Sequence, residues 1–226
     1  MKHYFLLLVL AVLATHNSNA QSSCSTYYPL VDGANFQYTI YNKKGEENGK
    51  TTYKVTHVES SGDNVKATMM MELVNKRGKI YTSDYDVVCD GNVVKIDFKS
   101  LMNEQMLSQM GDIEMDISGT DVELPNNLSV GQELPDANVS VKMKMGGGIN
   151  MNTYIENINR KVEKQENVTT PAGTFDCYVV YSENKTKLIT TKQRTWLAEG
   201  IGMVKQESYN KKGKLMTSMV LTQFSK

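Results

Sequence analysis

The sequence predicts a mostly β protein: an antiparallel curved sheet, half-barrel or sandwich of about a dozen strands with one short helix. Three observations carry this. Apolar residues alternate with polar ones in segment after segment, as in Phe36, Tyr38 and Ile40 or Val139, Val141, Met143 and Met145, which is the two-residue period of a half-buried strand. The alternating positions are rich in aromatic and β-branched residues, which fit a pleated surface. Turn residues punctuate the segments at short intervals, and Asp90-Gly91 is a strong two-residue hairpin signal.

Taken in order, residues 1–20 read as a cleaved signal peptide. Lys2 and His3 precede an apolar run over 5–14, and Ser18-Asn19-Ala20 offers small residues for cleavage. The run is shorter than the roughly 20 residues a membrane span needs. Cys24 follows Gln21, Ser22 and Ser23 with no Leu at the third position upstream, so anchoring as a lipoprotein there is disfavoured. The mature chain, 21–226, is then one all-β domain, exported and periplasmic or extracellular. A weak boundary at Pro125, Gly131 and Pro135 would divide it into two subdomains meeting near 125–136.

Strands are predicted at 36–40, 53–57, 65–74, 80–88 and 92–98. The helix is expected over 100–110, where Met102, Met106 and Met110 recur at four-residue spacing, Ser100 can cap and Gly111 can stop. Short strands follow at 113–117 and 122–124, then a long hairpin of 139–145 and 149–158 around Gly146-Gly147-Gly148. That triple glycine lacks the Lys-Ser/Thr of a phosphate loop. A strand at 162–168 leads to the turn Pro171-Ala172-Gly173, and 175–181, 189–197, 203–209 and 215–224 make a final meander.

One pattern recurs: Asn42-Lys43-Lys44-Gly45, Asn75-Lys76-Arg77-Gly78 and Asn210-Lys211-Lys212-Gly213. Each reads as a hairpin loop in which the Asn side chain caps the turn and Gly takes a left-handed position. Solvated lysines at loop tips are the ordinary explanation of the basic residues, and a comb that binds a partner is the functional one.

Charge and chemistry narrow the function. The formal net charge is zero, with 25 basic and 25 acidic residues, so the whole chain predicts no field drawing it to nucleic acid or anionic lipid. His57 is the only histidine beyond the signal segment, no CxxC pair is present and no G-x-S-x-G elbow occurs. Multi-histidine zinc sites and serine–histidine catalysis are therefore not predicted; no catalytic, cofactor or metal residue is assigned. A glycosidase needs only two carboxylates, and Asp84 or Asp86 with Glu156 is the pair to examine. Asp112, Glu114 and Asp116 alternate on one strand face, a solvated face or at most a weak calcium site.

Cys24, Cys89 and Cys177 permit one disulfide in an oxidising compartment. The sequence does not rank the three pairings; Cys24–Cys89 is the one chosen as the expectation, with Cys177 buried as a small apolar residue. The chain is also rich in Met, 14 in all, and Met adapts to irregular apolar partners. A candidate apolar groove is drawn from Met69, Met71, Met102, Met106, Met110, Met143 and Met145; an ordinary Met-rich core is the simpler reading. Pro171, Gly173, Phe175, Cys177 and Trp196 are expected to be structural.

The segments T-T-P-A-G-T-F-D-C-Y-V-V at 169–180 and W-L-A-E-G-I-G-M-V-K-Q-E at 196–207, with C-S-T-Y-Y-P-L-V-D-G at 24–33 and L-S-V-G-Q-E-L-P-D at 128–136, resemble a family of exported β-rich proteins of Bacteroidetes labelled TapB-like or as a domain of unknown function. The resemblance implies a periplasmic antiparallel β protein. Some related domains are similar to the half-barrel of bacterial lipoprotein carriers, which hold acyl chains in a concave groove. No catalytic role comes with it. The resulting expectation is a non-enzymatic envelope protein that binds an apolar ligand, such as a lipid, or a protein partner. The alternatives are a carboxylate-dependent carbohydrate-active enzyme and a structural, adhesin-like module.

Overall fold

The computed structural model describes residues 24–96, 113–145 and 149–226. Thirteen strands follow in chain order: β1 (Asn35–Asn42), β2 (Glu47–Ser61), β3 (Asn64–Asn75), β4 (Ile80–Asp90), β5 (Val93–Ile96), β6 (Ile113–Gly119), β7 (Val122–Pro125), β8 (Ala137–Met145), β9 (Ile149–Thr170), β10 (Gly173–Thr186), β11 (Thr190–Ala198), β12 (Gly202–Asn210) and β13 (Leu215–Ser225). They form one antiparallel sheet in the order β6-β8-β9-β10-β11-β12-β13-β1-β2-β3-β4-β5-β7. The candidate helix at 100–110 lies outside the described residues.

Chain connectivity forces the sheet to roll. Its two edges, β6 and β7, are consecutive in sequence, joined only by Thr120 and Asp121. Three peptide steps span at most about 11 Å, so the edges of a 13-stranded sheet must come together. Gly119 makes the crossing possible. At φ 148° it lies so close to β8 that a Cβ would stand 2.0 Å from the Asn138 carbonyl oxygen. The segment 131–134 then seals the edge of β9 beyond β8: Gly131 N–H donates to Val162 O, Val162 N–H to Gln132 O and Leu134 N–H to Arg160 O, at 2.8–2.9 Å.

The three N-[K/R]-[K/R]-G loops are built alike. Each Asn Oδ1 accepts two backbone N–H groups: Lys44 and Glu46 on Asn42, Arg77 and Lys79 on Asn75, Lys212 and Lys214 on Asn210. Each Gly has φ between 75° and 79°, a region that costs a Cβ-bearing residue strain. These tips join β1–β2, β3–β4 and β12–β13, so alternation of strand direction places all three at the same end of the sheet.

Residues 149–170 form one strand of 22 residues, not two separated near 159–161. Asn159 adopts φ 54°, and the register with β10 shifts between Tyr181 and Glu183. The local extra residue is absorbed as a bulge, which bends a strand without ending it.

The core divides by face. The concave face carries the main cluster, including Tyr38, Val55, Ala67, Cys89, Val94, Val162 and Leu221. A second cluster of Cys177, Val179, Trp196, Ala198 and Val204 sits on the opposite, convex face. Trp196 covers it, its Nε1–H donating to Glu166 Oε1 at 2.7 Å while Lys205 Nζ stands 4.6 Å from its ring centre. Hydrogen bonds from Lys164 and then Trp196 hold the Glu166 carboxyl below its usual range. Burial pushes the Cys177 thiol up to about 12. Cys24 and Cys89 are joined by a disulfide.

Phe175, half-buried, packs against both clusters. Pro171 and Ala172 form the turn before it, held by Ala172 N–H donating to Thr170 Oγ1 at 3.1 Å. Gly173 follows at φ 139°, with the Phe175 ring 3.4 Å from where a Cβ would lie. Gly173→Ala is therefore expected to cost about 1–3 kcal/mol of stability. Urea unfolding checks this, and an unchanged midpoint would show that the turn tolerates a side chain.

Candidate functional site: the concave face of the sheet

Two abutting cavities lie within the roll. The first occupies ≈ 230 Å³ and is walled by Phe36 and Tyr38 of β1, Tyr53 of β2, Met69 of β3, Tyr85 and Val87 of β4 and Met219 of β13, among others. Strand alternation brings these side chains to one face. Tyr28, from the segment before β1, enters from the end of the roll, its ring so near Gly202 that a Cβ there would stand 2.9 Å away. Tyr38, Tyr53 and Tyr85 stack edge to face, with centroids 5.7 and 6.3 Å apart. The Tyr38 hydroxyl donates to the Met203 carbonyl at 2.8 Å. Burial raises the Tyr28 phenol to about 12 and pushes Tyr38, Tyr53 and Tyr85 up as well. All four are neutral, amphipathic walls at physiological pH.

The second cavity, ≈ 250 Å³, shares Tyr28, Ile96, Met203 and Gln206 with the first. Val94, Val122, Leu124 and Ala137 form one side of it. The other side is a lane of neutral polar groups. Asn157 Nδ2–H donates to Asn184 Oδ1 at 2.7 Å, Asn184 Nδ2–H to Gln193 Oε1 at 2.9 Å, and Gln193 Nε2–H to Thr195 Oγ1 at 3.2 Å. Gln206 Nε2–H reaches the same hydroxyl at 3.4 Å. The groups satisfy one another, as buried amides must, and still present further donors and acceptors, since each amide has two of each.

Arg160 closes this cavity. The Asn159 bulge turns it inward, and it is 5% exposed. Its Nη1–H donates to Pro135 O at 2.5 Å and its Nη2–H to Glu123 O at 2.8 Å. It therefore ties β9 to β7 across the meeting edges of the sheet. Burial lowers its pKa, against the pull of Asp136 and Glu123. Larger clefts flank the roll, one of ≈ 510 Å³ on the far side of Arg160 and one of ≈ 810 Å³ beside the N-terminal segment. They lie between loops and surface strands, outside the tyrosine–amide face.

Of the candidate methionines, Met69 lines the tyrosine cavity. Met71 is half-buried on the same strand, in register with Tyr53 and Ser83, and lines neither cavity. Met143 is buried on β8 and lines neither. Met145 lies in β8 in register with Ile113 and Ile149, and Met102, Met106 and Met110 lie outside the described residues. The other cavity methionines come from the last strands: Met203 lies at the junction of the two cavities and Met219 lines the tyrosine cavity. The carboxylates considered for sugar chemistry do not converge. Asp84 and Asp86 on β4 and Glu156 on β9 all point to the convex face, and seven strands lie between. Glu156 pairs with Lys185 at 3.0 Å and Asp86 with Lys66 at 3.0 Å. Among the described residues no group of three or more His, Cys, Asp or Glu could hold a metal. The backbone register sets Glu114 opposite Lys144 and Asp116 opposite Lys142.

A family model described as DUF3108-like matches residues 31–221. The chain belongs to the DUF3108-like family. The narrower TapB-like label stays a resemblance. Two solved structures share the fold of this DUF3108-like chain. One is a Bacteroides fragilis protein inferred to be exported and described as having a YmcC-like fold, with TM-score 0.71 and 21% identity over 90% of this chain and 100% of that one. The other, from Parabacteroides distasonis, is inferred to be a lipoprotein and has TM-score 0.70 and 23% identity over 89% of this chain and 99% of that one. No curated protein matches. No helix among the described residues of this DUF3108-like chain is long and apolar enough to cross a membrane.

Proposed function

We propose that this DUF3108-like protein is a non-enzymatic, exported binding module that holds one amphipathic molecule in the concavity of its sheet. The observation that carries the reading is the composition of the inner face. A tyrosine–methionine cavity and an amide-lined cavity meet at Met203 and Gln206. Either alone falls short of the roughly 300–1,000 Å³ usual for ligand sites; a molecule with the room it needs would occupy both. Its apolar body would lie against Tyr38, Tyr53, Tyr85 and Met69, and its uncharged polar groups along Asn184, Gln193, Thr195 and Gln206. Among the described residues, the linings of the two cavities include no Asp, Glu, His or Lys, which favours binding over catalysis. The Cys24–Cys89 disulfide fits an oxidising compartment and occupies the sulfur that a lipid anchor at Cys24 would need.

Met203 faces both cavities, so Met203→Trp is the direct test. Filling the junction is expected to weaken binding of a hydrophobic fluorescent dye, or of lipid detected by native mass spectrometry, by roughly tenfold or more, with far-UV circular dichroism unchanged. A wild-type protein that takes up neither dye nor lipid would end the proposal.

A further inference from the structure

Whole-chain neutrality conceals a separation of charge along the strand axis. Four consecutive hairpins, β10–β11, β12–β13, β1–β2 and β3–β4, turn at the same end of the sheet. Their tips, at 185–190, 210–216, 42–47 and 75–81, carry ten Lys or Arg and only two acids. The turns at the other end, at 31–34, 61–64, 90–93, 170–173 and 198–202, carry four acids and no base; Lys226 lies beside Gly200 there. The basic end is also where apolar side chains stand in solvent. Six large hydrophobic residues are exposed among the described residues, and five belong to these tips: Leu188 at 90%, Ile189 at 59%, Ile80 at 58%, Met216 at 41% and Tyr81 at 39%. Isolated exposed apolar residues need no explanation. Five gathered at one end, each within a few residues of lysines, do.

We propose that this basic, apolar-tipped end docks on the surface of an anionic phospholipid bilayer. Lysines near such a surface are attracted to its headgroups, while aliphatic and aromatic tips sink into the boundary between headgroups and acyl chains. Both features are needed to choose this partner. A single-stranded nucleic acid would reward stacking platforms, and the tips offer one aromatic, Tyr81, already covered by Lys79 at 4.9 Å. A soluble acidic polymer would gain nothing from Leu188 and Ile189. The Asn-capped, glycine-closed loops hold the lysines on rigid turns, so little order is lost on contact. The surface is separate from the cavity, and the inference does not depend on what the cavity holds.

Co-sedimentation of the purified, oxidised protein with phosphatidylcholine vesicles containing about 30 mol% phosphatidylglycerol tests it. Binding is expected to these vesicles and not to pure phosphatidylcholine, and to fall away in about 0.5 M salt. Replacing Lys211, Lys212 and Lys214 together by Glu should lower the partition coefficient by roughly a hundredfold, and Leu188→Ser with Ile189→Ser by roughly tenfold. Asp63→Ala, at the acidic end, should leave it unchanged, and so should Met203→Trp, which separates this surface from the cavity. All are read beside the thermal midpoint, which substitutions at exposed tips should not move. Absence of binding to the anionic vesicles overturns the proposal. So does binding that the tip substitutions leave intact, or capture by heparin or DNA that is indifferent to Leu188 and Ile189.

Discussion

Above pH 10 the folded protein is expected to lose stability steeply and to unfold cooperatively near pH 11. The cause is the ring of phenols on the concave face. An ordinary tyrosine ionises at 10.0; burial moves Tyr28 to about 12 and raises Tyr38, Tyr53 and Tyr85 too. In the unfolded chain these groups lose their protons from pH 10 upward, while in the folded chain they keep them. The folded state then binds more protons, so unfolding becomes easier as pH rises. Each such group contributes a slope of about 1.4 kcal/mol per pH unit. Four acting together remove up to about 4 kcal/mol between pH 10 and 11, a large share of the stability of an ordinary domain. Below pH 10 the contribution is fully present.

Tyrosinate absorbance and circular dichroism followed together against pH decide the matter. Coincident, sharp transitions are expected. A gradual titration centred near pH 10 with unchanged dichroism would mean that water reaches the phenols freely. Tyr85→Phe adds a control within the site. It removes one ionisable group, should reduce the slope by about 1.4 kcal/mol per pH unit, and should move the transition to higher pH. For the proposed ligand, the same physics predicts binding that is insensitive to pH across the neutral range, because the other polar groups among the described cavity-lining residues are amides, hydroxyls and a guanidinium.

The fold class was legible because strand alternation is written residue by residue. The alternating run of Phe36, Tyr38 and Ile40 and that of Val139, Val141 and Met143 both became strands with one face inward. The turns were legible for the same local reason: Asn42, Asn75 and Asn210 each cap their own loop. What local pattern cannot hold is the face a strand presents once a bulge has intervened. Arg160 reaches the cavity only because Asn159 takes a left-handed backbone conformation, and nothing in N-I-N-R-K announces that. Ser182 and Asn184 share a face with Val180, so the strand is neither cleanly apolar inside nor cleanly polar outside.

The cavity lining was less legible for a related reason. Methionine enrichment is a compositional signal, and it pointed to the middle of the chain, whereas the inner face is walled by tyrosines from β1, β2 and β4 and by amides from β9 to β12. These residues are distant in sequence and meet because the sheet rolls until β6 and β7 adjoin. The basic tips show the same effect. Each loop alone is an ordinary solvated turn, and only the alternation of strand direction collects them at one end.

Replacing Cys24 and Cys89 together by Ser is expected to lower the melting temperature by roughly 10 °C. The disulfide closes a loop with a sequence separation of 65, and the entropy removed from the unfolded chain by such a link is worth about 4 kcal/mol. A domain of this size moves by about 2–4 °C per kcal/mol. The bond also pins the segment that plugs the roll. Tyr27, 1% exposed, meets Tyr178 edge to face at 6.5 Å. Thr26 N–H donates to Asn126 Oδ1 and Thr26 O accepts from Gly200 N–H, both at 2.8 Å. Those contacts survive the substitution, but nothing covalent then holds Cys24 to β4, and Tyr28, which walls both cavities, sits four residues further on. The double variant should therefore also bind dye more weakly at a temperature where it is still folded. Equal melting temperatures for variant and wild type would place the plug's stability in its packing alone. Cys177 does not confuse the comparison, because its thiol is buried and pushed up to about 12, which leaves it protonated and slow to exchange with the disulfide.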